Sequence, residues 1–302
     1  MQISMLEYTG DPFSIDTYVA QLAMLRDEGF ARVWSTQLPY ERDLLTALAV
    51  AFREVPDIGV GTGVLPIQNQ HPMLMAQRVL TLNAIAGGRF TLGIGMTHAA
   101  VTEGMWGISW GKPIRRMNEY LNGLLPLLNG EPADAAGELV TTRGSVMIPD
   151  APAPDVYIAA LGPQMLKLAG RRTAGTVTWM TGPQTLGSHI GPVIRSAAAE
   201  VGRKARVVAA LPISVTDDVA GARATAAKQF AMYGQLPSYR AMLDREGFAG
   251  PEDAALIGSE SEVSERLDAL RDAGVDEFVG ATYERSAEGR ARTRALLRSW
   301  AG

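Results

Sequence analysis

Residues 56–97, PDIGVGTGVLPIQNQHPMLMAQRVLTLNAIAGGRFTLGIGMT, set two strand-like runs around one apolar helix. The runs cover residues 58–64 and 90–95, and each has glycine where a strand would stop. Two runs joined through a helix form a βαβ unit, with parallel strands and a crossover on one face. Glycine at both strand ends leaves bare backbone, so a flat ligand can lie directly on the main chain.

The rest of the chain repeats this unit. Strand-like runs fall at 2–8, 31–35, 58–64, 90–95, 155–160, 176–180, 206–215 and 277–281. Helical spacing falls at 16–28, 42–52, 72–86, 113–128, 163–170, 185–201, 219–245, 260–273 and 287–300. His71-Pro72 suits a helix cap and first position, with Met75, Val79, Leu82 and Ile85 on one face and Gly87-Gly88 as the stop. Ile114, Met117, Leu121, Leu124, Leu125 and Leu128 share a face of the fourth helix. Gly187, Gly191 and Pro192 disturb the start of the 185–201 helix, and Gly234 and Pro237 break the 219–245 segment.

Eight strands alternating with helices over 302 residues imply a parallel sheet, and the count favours a closed α/β (β/α)8 TIM barrel over an open sheet. An open doubly wound fold would carry a G-x-G-x-x-G turn after the first strand, and Thr9-Gly10-Asp11 does not supply it. No linker divides the chain, so residues 1–302 read as a single domain. Two excursions leave the repeat. One follows the fourth helix at 129–154, with a small hairpin around 139–148; the other precedes the eighth strand at 234–260.

Composition narrows the chemistry. The chain has no cysteine, which excludes disulfides, thiolate nucleophiles and Cys–zinc sites. His71, His98 and His189 are scattered, so no metal site is expected. A net charge of −4 without a basic block speaks against a nucleic-acid surface. The Arg285 to Arg298 run reads as a solvated helix face. The segment MQISMLEY lacks the charge and apolar run of a signal peptide, and no run is long enough to span a bilayer. A cytoplasmic enzyme with a small-molecule substrate and no membrane partner is the expectation.

In a barrel, function collects where strands meet the following helices. The rim gathered this way contains Glu7, Tyr8, Ser35, Thr36, Gln37, Gly63, Val64, Gly95, Met96, Thr97, His98, Ala160, Leu161, Gly162, Trp179, Met180, Thr181, Ser214, Thr282 and Tyr283. It holds neither paired carboxylates nor a Ser-His-Asp set. A rim poor in acids and bases assigns the reactive chemistry to a cofactor.

Gly61-Thr62-Gly63-Val64 reads either as an unusual turn beneath a ring or as an ordinary strand end. Ala160-Leu161-Gly162-Pro163-Gln164 runs a strand into a helix start, either a phosphate cradle or a plain βα turn. His98 is either a proton donor or a loop histidine. Gln37, Trp106, Trp110 and Trp179 are candidates for the substrate pocket, whereas Trp34 sits inside its strand and reads as core. Met73 and Met75 read as core packing.

Four motifs in order carry a resemblance: GTGVLPIQNQHPMLMAQ (61–77), AGGRFTLGIGMTH (86–98), KPIRRMNEYL (112–121) and VYIAALGPQMLKLAGRRTAG (156–175). Together they resemble the luciferase-like monooxygenase superfamily, and within it the oxidoreductases that use the deazaflavin coenzyme F420. The resemblance implies a (β/α)8 barrel with the ring bound at strand C-termini. It implies a non-prolyl cis peptide backing the ring at Gly63–Val64. It implies ring and tail contacts from Gly95, Met96, Thr97 and His98, and a phosphate turn at Ala160, Leu161, Gly162, Pro163 and Gln164. Family members are often homodimers, so a homodimer is expected.

Some relatives carry an Asp-His pair after strand two, where this chain has Thr36-Gln37, and a glutamate where His98 stands. The strand-six end, Thr181-Gly182-Pro183, has no basic residue for a substrate phosphate. Sugar-phosphate oxidation is therefore not implied, and His98 becomes the acid/base candidate. The phosphate turn resembles the deazaflavin branch most, which implies hydride transfer to or from a small, mostly apolar alcohol, carbonyl, imine or activated alkene. An FMN-dependent monooxygenase on the same fold is the alternative, and a barrel that binds a ligand without turnover is a third reading.

Overall fold

The computed structural model describes residues 1–8 and 14–300; Thr9-Gly10-Asp11 lies outside the described residues. β1 (Gln2–Glu7) is followed by α1 (Ile15–Asp27), which buries Tyr18, Leu22 and Leu25 and stops near Gly29 at φ +96°. After β2 (Arg32–Ser35), α2 (Leu44–Glu54) starts where the Asp43 carboxylate accepts the Thr46 N–H at 2.9 Å. β3 (Gly59–Thr62) and the short β4 (Leu65–Pro66) lead to α3 (Pro72–Ala86), capped by His71 Nδ1 accepting the Met73 N–H at 3.1 Å.

α3 buries Met75, Val79 and Leu82, but Ile85 is 37% exposed. The 3.6-residue period carries the face from Leu82 to Ala86 instead. Met75 is core as expected, while Met73 is only half-buried.

β5 (Phe90–Gly95) is buried along its whole length, and α4 (Ala99–Thr102) and α5 (Pro113–Leu128) follow. The expected hairpin exists but begins earlier, as β6 (Ala133–Ala136) against β7 (Thr141–Gly144). The reason lies on α5: the Glu119 carboxylate accepts the Leu139 and Val140 N–H groups at 2.7 and 3.0 Å, which makes those residues the turn. Their apolar side chains read as strand in the sequence.

β8 (Val156–Ala159), α6 (Pro163–Arg172) and β9 (Gly175–Trp179) come next. The disturbed helix start resolves into α7 (Pro183–Thr185), a π-helical turn (Leu186–Ile190) and α8 (Gly191–Ala199). β10 (Arg206–Val215) precedes α9 (Val219–Gln229), a 3-10 turn (Ala231–Gly234), α10 (Pro237–Glu246) and α11 (Pro251–Ala254). β11 (Leu256–Gly258) is too short to show a period and escapes the sequence. α12 (Glu260–Asp272), β12 (Glu277–Thr282) and α13 (Ala287–Trp300) close the chain.

The strands bond in the order β11-β10-β12-β1-β2-β3-β5-β8-β9, and β9 also pairs β10, so the order closes on itself. β1, β2, β3, β5, β8, β9, β10 and β12 form the ring, with β11 outside it: this is the (β/α)8 fold. Among the described residues no helix is long and apolar enough to cross a membrane.

Two compact units are distinguishable by their internal contacts. The first comprises Met1–Leu6, Glu28–Arg32 and Ala160–Gly302. In it β12 lies between β1 and β10, with Gln2 opposite Glu277 and Val208 opposite Glu277. Glu277 is fully buried; its carboxylate accepts from the Ser4 hydroxyl at 2.7 Å and faces Arg32 and Arg206 at 3.4 and 3.8 Å. This group gathers at the N-terminal ends of the strands, the face of a barrel that serves stability. The arginine run on α13 is not wholly a solvated face. Arg294, with a side chain 12% exposed, pairs with Glu28 at 2.8 Å.

The second unit comprises Glu7–Asp27 and Val33–Ala159. Here β5 runs parallel to β3 and β8, with Val60 opposite Phe90 and Leu92 opposite Val156. Trp34 is 1% exposed, as its place inside a strand predicts, and meets Tyr157 edge to face at 5.7 Å.

Candidate functional site

The end of β3 is built differently from a plain strand. The sequence suggests one run to Val64, but β3 stops at Thr62, the Gly63–Val64 peptide bond is cis, and β4 resumes at Leu65. Gly63 N–H donates to the Ser35 carbonyl at 2.8 Å, and Ser35 Oγ shares a 2.7 Å hydrogen bond with the Tyr18 hydroxyl. Thr62 Oγ1 donates to the Gly93 carbonyl and accepts the Gly93 N–H, both at 2.8 Å. β4 then pairs β5, with Leu65 opposite Ile94 and Pro66 opposite Gly95.

The glycines of β5 leave room for this segment. A Cβ at Gly93 would fall 1.9 Å from the Thr62 carbonyl oxygen, and one at Gly95 would fall 2.6 Å from Val64 Cγ2. Gly63 and Val64 are half-exposed while Gly61, Thr62, Leu65 and Pro66 are buried. Two half-exposed residues thus sit between buried neighbours, and only the first, Gly63, lacks a side chain.

Beyond β5, Met96, Thr97 and His98 are half-buried. The His98 carbonyl accepts the Val101 and Thr102 N–H groups at 2.9 and 3.0 Å and starts α4. Burial holds the His98 imidazole below its ordinary pKa. The ring is therefore neutral near pH 7, suited to accept or relay a proton at a ring nitrogen and poor as a strong acid. Trp106 and Trp110 are half-buried in the loop after α4; Trp106 N–H donates to the Val101 carbonyl at 3.1 Å and Trp110 N–H to the Glu103 carboxylate at 2.9 Å.

Gln37 lies in the loop after β2, with its amide turned back on that loop. Nε2 donates to the Leu38 and Arg42 carbonyls at 3.0 and 3.2 Å, and Oε1 accepts the Leu44 N–H at 2.6 Å. These bonds brace the start of α2.

In the first unit, Ala160 is buried, Leu161 half-buried, and Gly162, Pro163 and Gln164 exposed. Gly162 caps α6 with no side-chain bond, Pro163 occupies the first helical position, and the first turn carries no acidic residue. Leu166 N–H returns to the Gly162 carbonyl at 3.0 Å. Among the described residues nothing accepts from the N–H groups of Gly162, Gln164 or Met165. Donors at a ten-residue helix start with no competing carboxylate fit an anion.

Two side chains that the sequence reading leaves without a role fix this turn. Thr176 Oγ1 donates to the Ala160 carbonyl at 3.3 Å, and His189 Nε2 lies 2.9 Å from the Leu161 carbonyl. In the sequence His189 is considered only as a metal ligand, and the π-helical turn that carries it has no motif of its own.

Trp179, at the end of β9, opens a line of aromatic rings. It meets Phe230 and Tyr233 edge to face, each at 5.9 Å; Phe230 meets Tyr283 at 5.6 Å and Tyr233 meets Tyr239 at 5.1 Å. Met180 follows at φ +54°, in the left-handed region, and is fully buried. A separate cavity of about 360 Å³, lined by Gly182, Glu246, Leu256 and Arg266 among others, contains none of the candidate residues.

Residues 2–277 match the model of the family described as luciferase-like monooxygenase. A 5,10-methylenetetrahydromethanopterin reductase of Methanolobus tindarius is 30% identical over 219 residues, 72% of this chain; the chain spans 66% of that relative's length, just under two thirds. The structure of a coenzyme F420-dependent tetrahydromethanopterin reductase from Methanopyrus kandleri superposes with a TM-score of 0.82 at 20% identity, covering 98% of this chain and 96% of the other. The oxygenating constituent of 3,6-diketocamphane monooxygenase from Pseudomonas putida, solved with FMN, superposes with a TM-score of 0.80 at 17% identity, covering 99% and 96%. These structures share the barrel, and the family match extends over nearly all of it. This chain belongs to the luciferase-like monooxygenase family.

Proposed function

We propose that this chain is an oxidoreductase that works with the deazaflavin coenzyme F420, moving a hydride between it and a small, largely apolar organic substrate. The observation that carries the reading is the open start of α6, where Gly162, Gln164 and Met165 offer N–H groups with no acceptor among the described residues. A phosphate satisfies such donors. Phosphate is common to F420 and FMN, so the choice of deazaflavin rests on the relatives. The Methanopyrus kandleri enzyme is F420-dependent by name, and the Methanolobus tindarius reductase carries the matching activity in its name.

When bound, the deazaflavin supplies a ring carbon that takes up or gives a hydride. The remaining work falls to the chain. Gly63 and Val64, both half-exposed, would support the ring, together with Gly95, Met96 and Thr97 of the same unit. Ala160, Leu161, Gly162, Pro163 and Gln164 hold the phosphate. His98, kept neutral by burial, accepts or returns the substrate proton at a ring nitrogen. Trp106, Trp110 and Trp179 contribute apolar surface for the substrate.

Titrating the protein separately with oxidised deazaflavin and with FMN tests the reading. Saturable binding of the deazaflavin is expected. Binding of FMN alone would overturn the proposal in favour of a flavin monooxygenase.

A further inference from the structure

We propose that His189 is a positioning residue that aims the Gly162 N–H at the cofactor phosphate; the inference rests on the functional reading above. A carbonyl can only accept, so the 2.9 Å contact with the Leu161 oxygen requires a proton on His189 Nε2. Leu161 C=O and Gly162 N–H belong to one peptide unit, and the only cis bond among the described residues is Gly63–Val64. In a trans peptide these two groups point in opposite directions. Holding the carbonyl toward His189 therefore turns the Gly162 N–H away from it, and that N–H joins those of Gln164 and Met165, which also lack an acceptor among the described residues. Thr176 fixes the preceding carbonyl, that of Ala160, from β9.

The helix that carries His189 contains a π-helical turn. Gly191 N–H bonds the Leu186 carbonyl, five residues back, and Pro192 has no N–H for the next regular bond. One extra residue in the turn rotates the preceding residues by about 100° relative to a regular helix. His189 is brought to 8% exposure, with its ring on the Leu161 carbonyl. The packing behind it is tight: a Cβ at Gly170 on α6 would fall 2.3 Å from the Ile194 carbonyl on α8. The turn that carries His189 and the helix that carries the N–H donors thus move little against each other.

The test compares oxidised F420 with the same deazaflavin chromophore carrying only its ribityl chain, each titrated by fluorescence against wild type, His189→Leu and His189→Gln. His189→Leu keeps an apolar filling but donates nothing; His189→Gln restores an N–H of similar reach. Loss of one such bond is expected to weaken F420 binding about 5- to 10-fold. The phosphate-free chromophore should bind the variant as it binds wild type, and His189→Gln should recover most of the F420 affinity. If His189→Leu does not fold, Gly162→Pro removes the N–H itself at a φ of −79° that proline accepts, and carries the same expectation. Equal weakening of both ligands, or of neither, overturns the role of His189. If wild type binds neither deazaflavin, the functional reading fails first, and the two failures are distinguishable.

Discussion

Gly95 faces the side chain of Val64 so closely that a Cβ at position 95 would fall 2.6 Å from Val64 Cγ2. Two positions earlier, a Cβ at Gly93 would meet the Thr62 carbonyl oxygen at 1.9 Å. A valine methyl can rotate away, whereas a backbone carbonyl held in the sheet cannot. Gly95→Ala is expected to lower stability by about 1–3 kcal/mol, the range of an overpacked core, and Gly93→Ala by clearly more. Urea unfolding of the two variants decides; equal losses would mean that β5 shifts as a unit to relieve both contacts.

Thr62 makes both of its hydrogen bonds to one residue, accepting from and donating to the Gly93 backbone while fully buried. Thr62→Val keeps the shape and leaves that N–H and carbonyl unpaired. A loss of about 2–4 kcal/mol is expected, and Thr62→Ser should restore most of it. A Thr62→Val protein as stable as wild type would show that water or a shifted strand replaces the hydroxyl.

His98 is held below the ordinary imidazole pKa by burial, so the folded protein resists protonating it. Its folded pKa lies below the unfolded value of about 6.5, so its stabilising contribution is complete above that value and is lost as pH falls through the folded pKa. The His98 ring signals in an NMR titration should change at a pH below that of a free histidine. His98→Gln should flatten the acid side of the stability profile. A midpoint at or above the free value would remove the neutral-base role.

Glu277 lies at the N-terminal end of β12, where it ties Ser4 to Arg32 and Arg206. Glu277→Ala leaves the Ser4 hydroxyl and both cations without their shared partner. The expected loss is about 3 kcal/mol, at the low end for a buried pair because both arginines reach solvent. The denaturant midpoint should fall with an unchanged slope. Binding of deazaflavin to the folded fraction should be unaltered, and weakened binding at full folding would contradict a purely structural role.

Periodicity alone located the eight ring strands and most helices, because a strand buried on both faces and a helix buried on one leave regular apolar patterns. It missed where the pattern depends on a distant partner. Leu139 and Val140 look like strand residues, yet Glu119 makes them a turn. Arg294 looks solvated, yet Glu28 draws it in. The bonds from Gln37 to Leu38, Arg42 and Leu44 likewise leave no trace in the spacing.

What the sequence determined by itself was the order of strands and helices, the glycines of β3 and β5, and the Gly162-Pro163 helix start. These are local statements, fixed by backbone freedom, missing N–H groups and spacing along one chain. Tertiary structure decided which groups serve those positions. His189 and Leu161 are 28 residues apart and Trp179 and Phe230 are farther still, and no local propensity records that they touch. Their contacts follow from a π-helical turn and from the closing of the sheet, where side-chain packing and the pairing of every buried polar group outweigh the preferences of any single segment.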